Sequence, residues 1–363
     1  MPYPKITHHF DNFVVMETPT RDYAVGKMGM VRVSLEFYRH YKDEFDLVVL
    51  VLRSETGFFP NHWGPGVQGR MAVVRNTLQG TGTSRLNFGH AFGSDEKLKG
   101  VVQLASNFQI LDGALLHEFM HLWYFNLEIF PTSVFGHWGF SSVGGRLGGF
   151  QRDELNSLGD GKYSAGYFQP QDGRRALPYG DLEMYLAGWI PASDVPDIWV
   201  AEDGEWLKKD LTEEELADCE IKEGPLAGTF KLDCTTELDT DGNRIFAASE
   251  TSTWSMEQII EKIGPRIPSV EDSQKEFRIA FILVTHGSEP VTEKDLKLTE
   301  SFIERFTAKT PLENPFKVRL DDSSQVTVTF NNPWGRKGKP LNFWEATRGM
   351  ATVEAGDLQS YRR

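Results

Sequence analysis

Two histidines four residues apart, His117 and His121, sit inside an apolar stretch of good helix formers, Leu111 to Leu127 (LDGALLHEFMHLWYFNL). Leu115, Leu116, Phe119, Met120 and Leu122 to Phe125 nearly surround any helix formed there, and a helix that apolar has to be buried. Asp112 is suited to cap its start, and Pro131 ends it at the latest. Burying two imidazoles and the carboxylate of Glu118 is costly unless they are hydrogen-bonded or bound to a cation. The chain therefore has to fold around a polar site placed inside an apolar layer.

The spacing says what that site is suited for. Residues i and i+4 of a helix share a face, so the two imidazoles can take adjacent corners of a tetrahedral zinc site. Glu118, next to the first of them, is placed to take a proton from a water that the metal acidifies and to hand it to a leaving amine. The bland alternative is a pair of core histidines satisfied by hydrogen bonds. A catalytic zinc needs a third protein ligand. The first candidate is His137, sixteen residues after His121, with a helix end and Pro131 between them to turn the chain back. The second is Glu183, on a predicted helix Asp181 to Gly188, where Leu182, Met184 and Leu186 surround it and a partly buried carboxylate needs a partner. Glycine and histidine three and six residues after the second ligand define the metzincins; Tyr124 and Leu127 stand there and exclude that arrangement.

Around this segment the hydrophobic pattern alternates between strands and helices. Phe45 to Leu52 reads as a strand buried on both faces, Met71 to Leu78 and Leu98 to Leu104 as further strands. Glycine-rich stretches follow the first strand (Gly57 to Gly69) and the histidine helix (Gly136 to Gly149). The density of the second implies backbone turning beneath something close. Residues 202–250 are charged and turn-rich and read as an inserted hairpin lobe. Within it Asp239 to Asn243 superficially resembles a calcium loop, but Arg244 stands where such a loop needs glycine, so a hairpin turn is expected. Cys219 and Cys234 can pair if the segment between them doubles back. Beyond the lobe we expect a helix at Trp254 to Ile263, a strand at Glu276 to Val284, a helix at Thr292 to Phe306 and a strand at Gln325 to Phe330. The expected fold class is α+β. Residues 1–200 would form a catalytic domain with a mixed sheet and a buried active-site helix, 201–250 the inserted lobe, and 251–363 a mixed α/β region packing on the first.

The stretch His117-Glu-Phe-Met-His121-Leu-Trp123-Tyr-Phe-Asn126-Leu127 resembles the gluzincin metallopeptidases, and most closely the alanyl and leucyl aminopeptidases, whose helix reads His-Glu-x-x-His-x-Trp-x-x-Asn-Leu. Their third ligand is a glutamate in a Glu-Gly-Phe-Ala segment; His137-Trp-Gly139-Phe140-Ser lies at nearly the same distance here, so the resemblance implies that His137 fills that place. A wider pattern is similar to bacterial zincin-like proteins: Val74-Arg75-Asn76 with Gly80 and Gly82, His137 to Phe140, and Tyr179 to Gly188. The resemblance implies a zincin fold, a Zn2+ cofactor and a peptide or protein substrate. Zincins often bind substrate along the strand before the active helix, for which Val73 to Gly82 is the candidate. Tyr185, or Tyr179, is a candidate donor to a developing oxyanion, against the alternative of simple packing.

Composition narrows the rest. A net charge of −14 over 363 residues, with no basic patch, argues against a nucleic-acid partner. No run approaches the roughly 20 apolar residues of a membrane span, so no membrane partner is expected. Met-Pro-Tyr-Pro-Lys at the start lacks an apolar signal region. The chain as given reads as cytoplasmic, or as secreted if a leader preceded it. The leading expectation is a zinc metallopeptidase. The alternatives are a zinc enzyme acting on a small-molecule amide, and a non-catalytic binding module whose metal is structural or absent.

Overall fold

The computed structural model describes residues 4–52, 68–169, 177–221, 231–287, 289–330 and 339–363, and most of the first glycine-rich stretch, 57–67, lies outside them. The elements that matter for the site are, in chain order, β1 (Lys5–His9), β2 (Phe13–Thr18), α1 (Gly26–His40), β3 (Leu47–Leu52), β4 (Gly69–Val73), β5 (Gly100–Leu104), α2 (Ala114–Met120), α3 (Asp181–Ala187), β6 (Glu276–His286), α4 (Glu293–Thr307) and β7 (Thr352–Glu354). The seven strands form one mixed sheet in the order β1-β2-β6-β3-β5-β4, with β7 also paired to β6. The inner pairs β2–β6, β6–β3 and β3–β5 are parallel, as is β6–β7, whereas β1 and β4 run antiparallel to their neighbours.

The continuous apolar run of β3 is explained by its surroundings. Alternate side chains of a strand face opposite sides of a sheet, and here both sides are covered. Leu47, Val49 and Val51 face a layer containing Leu115, Leu116, Phe119 and Met120 of α2 and Phe302, Ile303 and Phe306 of α4. Val48, Leu50 and Leu52 face Met30, Val33 and Phe37 of α1. The fold is thus α+β with helices on both faces of a mixed sheet. No described helix is long and apolar enough to cross a membrane.

Four expectations about the elements need correction. The helix predicted over Leu111 to Leu127 stops at Met120: the amides of His121 to Tyr124 still reach back to Glu118, Phe119 and Met120, and those of Phe125, Asn126 and Leu127 donate instead to the Gly82 carbonyl at 3.0–3.2 Å. The residue before its first turn is Gly113 at φ 97°, not Asp112. The second strand begins earlier than expected, at Gly69, and the chain leaves the main sheet after Val73. The domain boundaries shift as well. The C-terminal region supplies β6, which pairs β2 on one side and β3 on the other, so it completes the sheet from within.

The lobe takes residues from before position 201. Its four-stranded sheet orders 205–206, 245–247, 162–165 and 155–159 around Phe140, Phe150, Phe168 and Phe246. Strand Leu155–Gly159 is exposed at four of its five positions, so it carried no alternation to read. Asp239 forms a hairpin turn, its Oδ1 accepting the amides of Asp241 and Asn243. Arg244 is buried against the Trp206 and Tyr167 rings, 4.4 and 5.2 Å from their centroids. Cys219 and Cys234 are disulfide-bonded, between two short helices, Glu213–Cys219 and Leu232–Thr235.

Candidate metal centre

Helix α2 carries His117 and Glu118, and His121 closes its last turn with φ −62° and ψ −11°. Ending the helix there frees the Tyr124 carbonyl, which lies 2.9 Å from His121 Nδ1. The end itself is held by the segment before it. Asn76 donates to the Thr83 carbonyl and accepts from the Leu78 amide, Asn126 accepts from the Ser84 amide, and the Thr83 hydroxyl reaches the His121 carbonyl at 3.4 Å. The Asn76, Gly82 and Asn126 positions singled out in the sequence therefore act on the backbone that stops the helix.

His137 arrives by a two-residue reversal. The amides and carbonyls of Val134 and His137 pair with each other at 3.0–3.1 Å, with Phe135 at φ 48° and Gly136 at φ 73° between them. Positive φ at both central residues is the geometry of a tight hairpin turn. For Phe135 it carries a strain of roughly 1–2 kcal/mol. The turn brings the His137 ring to 5.1 Å from the centroids of both His117 and His121, which are 5.0 Å from each other.

The three rings are oriented by the same device. His117 Nδ1 lies 2.8 Å from the Arg146 carbonyl, His121 Nδ1 2.9 Å from that of Tyr124, and His137 Nδ1 3.0 Å from that of Val134. A carbonyl oxygen only accepts, so each Nδ1 carries the proton and each Nε2 presents a lone pair. Ligand atoms of the three rings lie within 4.8 Å of one another, and among the described residues this is the one such group of histidine, cysteine or carboxylate side chains. His117 Nε2 and His137 Nε2 are 3.2 Å apart. Two lone pairs at that distance repel unless a cation or a proton lies between them. A tetrahedral ion at roughly 2.0–2.1 Å from each nitrogen sets its ligands about 3.3 Å apart, and an ion satisfies all three rings where a proton satisfies two. Burial, and after it the neighbouring His117 and His137, hold His121 well below the ordinary imidazole pKa, in the neutral form that ligates.

Glu118 is buried at 7% exposure beneath the start of β4. A Cβ on Gly69 would stand 2.8 Å from Glu118 Cγ and 3.0 Å from its Oε1, so glycine at that position is what lets the strand cross the carboxylate. Among the described residues β4 is an outer strand of the sheet, paired to β5. The strand expected at Val73 to Gly82 instead runs over Gly69–Val73.

Glu183 is not among the groups that converge with the histidines. It is fully buried, and its two oxygens take four N–H donors at 2.8–2.9 Å: the Trp138 indole and Leu147 amide on Oε1, the Arg146 and Gly180 amides on Oε2. Burial pushes its pKa up, and the four donors pull against that. Its expected role as a ligand is corrected on this ground: its acceptor sites are spent on the loop. That loop is what the glycines of 136–149 wrap around it, since a Cβ on Gly145 would meet Glu183 Oε2 at 2.2 Å.

The two tyrosines are corrected too. Tyr179 is fully buried and donates its hydroxyl to the Leu116 carbonyl at 2.8 Å. Tyr185, two residues from Glu183, has its pKa raised by burial, and the amide and charge of Arg266 beside it pull against that. Neither phenol is directed at the histidines. Sequence reasoning missed Tyr124, Val134 and Arg146, whose contribution is a backbone carbonyl and therefore leaves no trace in side-chain identity. Comparison with models of protein families, with curated proteins and with solved structures finds no match to this chain.

Proposed function

We propose that this protein is a zinc-dependent hydrolase of the zincin type, with His117, His121 and His137 as the ligands and a peptide or protein as substrate. The observation that carries the reading is the convergence of three Nε2 atoms whose ring partners are all backbone carbonyls. Residues that merely filled a core would not need the same tautomer aimed at one point. When bound, the ion supplies Lewis acidity and a water acidified towards neutrality. The three nitrogen donors match zinc's preference, and the buried Glu118 carboxylate beside His117 is placed for proton transfer.

Glu118 does the proton work in this reading. Its carboxylate, shielded between α2 and β4, takes a proton from the attacking water and returns it to the leaving amine. β4 supports a peptide over a small amide. An extended chain can add to an outer strand by main-chain hydrogen bonds, and Gly69 keeps the strand close enough to Glu118 for the bound segment to lie beside it.

Metal analysis of the purified protein should give one zinc per chain, lost on treatment with a strong chelator. A mixed synthetic peptide library should be cleaved by the zinc-loaded protein and left intact by the chelated one. Protein that neither carries nor takes up zinc sinks the reading; protein that binds zinc yet leaves every peptide intact moves it to small-molecule amides or to a binding module.

A further inference from the structure

The buried carboxylate of Glu183 is not a member of the histidine group, yet each of the three is connected to it. Arg146 gives its amide to Glu183 Oε2, and its carbonyl, which accepts from His117 Nδ1, shares a peptide unit with the Leu147 amide that donates to Glu183 Oε1, so one peptide unit links the two. Trp138, which follows His137 in the chain, gives its indole N–H to Glu183 Oε1. The same oxygen takes the Leu147 amide, and the Trp138 amide donates to the Leu147 carbonyl at 2.9 Å, so the carboxylate closes a small ring of bonds around residues 138 and 147. The Trp138 ring stacks on Tyr124 with centroids 3.7 Å apart and planes 5° from parallel, and Tyr124 is the residue whose carbonyl holds His121.

We propose that Glu183 is the positioning residue for the metal centre: through Arg146, Trp138 and Tyr124 it fixes the backbone that orients His117, His137 and His121. The proposal rests on the reading of the histidine cluster as a metal site. Its physical basis is the cost of the arrangement. A fully buried carboxylate is expensive, and it is held here by four N–H donors and by its place in the first turn of α3, where the helix end is positive. All four contacts are donors, so the site fits an acceptor-only, ionised carboxylate and no neutral amide. A purely apolar filling would pack the same space without that expense. What it would not do is direct the amides of Arg146 and Leu147 and the indole of Trp138 towards one point, and so set where the Arg146 carbonyl faces.

The test is metal binding, read without turnover. Glu183→Gln places an NH2 group against two N–H donors, which turns the Arg146 peptide and takes the carbonyl from His117. Zinc affinity, measured by competition with a chromophoric chelator, should fall roughly 10–100-fold, the range for loss of an outer partner of a metal ligand. The visible absorption bands of the cobalt(II)-substituted protein should weaken and shift as the four-coordinate geometry loosens, a readout that a role confined to stability would leave unchanged. Trp138→Phe keeps the backbone donors and removes one bond, so it should show the same changes in smaller measure; it decides the matter if the glutamine variant does not fold. Folded variants with wild-type zinc affinity and wild-type cobalt spectra overturn the proposal. A wild-type protein that binds neither zinc nor cobalt overturns the reading beneath it instead.

Discussion

Two segments offer candidate metal ligands in the sequence: the histidine cluster and the Asp239–Asn243 turn of the lobe. They differ in what their polar atoms are already doing. At the turn, Asp239 Oδ1 takes the amides of Asp241 and Asn243 and Oδ2 takes the Asn243 side chain, so the carboxylate is spent on its own backbone. At the cluster the backbone satisfies Nδ1 of each ring, and the second nitrogen is left to converge. On the proposed reading, the difference teaches that a metal site is specified as much by the partners of the non-ligating atoms as by the ligating residues. The sharpest way to test that contrast is through Glu118, the acid that the cluster leaves out of ligation. Glu118→Gln should retain zinc at wild-type stoichiometry while peptide cleavage falls about 10²–10⁴-fold, the usual share of a general base. Turnover that survives the change would remove the carboxylate from the chemistry.

The next largest effect compares the two regions directly. His137→Ala removes one converging nitrogen, and zinc affinity should fall by more than the roughly 10–100-fold that loss of an outer partner costs. Asp239→Ala should leave zinc content unchanged, and calcium should raise the melting temperature of neither protein. Calcium-dependent stabilisation that disappears in the Asp239 variant would collapse the distinction between the two regions.

Much of the cluster was legible because side-chain identity carries it. The spacing of His117 and His121 fixes a shared helix face, and their apolar surroundings demand partners. His137 was legible only as an alternative to Glu183, since both are polar groups near apolar neighbours and local pattern cannot say which way a side chain faces. The structure separates them by partners: Glu183 is saturated by the glycine loop, and that loop was visible in the sequence as a glycine cluster beneath an unnamed neighbour. The helix end after Met120 was not legible, because it depends on the Gly82 carbonyl, more than forty residues upstream of Leu127 in the chain. The strand order was hidden for the same reason. β6 sits between β2 and β3 by long-range pairing, whereas its identity as a strand was local and was read at Glu276 to Val284.

The lobe offers a covalent contrast with the cluster. Cys219 and Cys234 close a span of 15 residues, and removing such a link destabilises by about 3 kcal/mol in the chain-entropy account. Alkylation of the unfolded, unreduced protein should find no reactive thiol. The double Cys219→Ser, Cys234→Ser variant should unfold at lower denaturant while holding zinc as tightly as wild type, because none of the contacts that orient the histidines passes through these helices. A variant that loses zinc together with the disulfide would show the two regions to be one cooperative unit.

The smallest expected effect is electrostatic and again belongs to the lobe. Asp203 accepts the Ser249 hydroxyl and the amides of Ser249 and Glu250, and these bonds, the Ser249 hydroxyl first, hold its pKa down to about 2 from an ordinary 3.8. A carboxyl whose pKa is depressed on folding stabilises the folded state fully above the unfolded value, and that contribution fades as pH falls from about 3.8 to about 2. Asp203→Asn should therefore lower the denaturation midpoint slightly at pH 5, with the difference from wild type vanishing as the pH approaches 2. Because Asp203 is exposed, solvent screening keeps the effect small. The histidines run through a different window. His121 is held below its unfolded pKa, so acid favours the unfolded, protonated ring and metal-free stability should begin to fall below about pH 6.5. A difference between wild type and Asp203→Asn that began near pH 6 would place the origin of the lobe's acid sensitivity in the cluster and join the two regions that this comparison keeps apart.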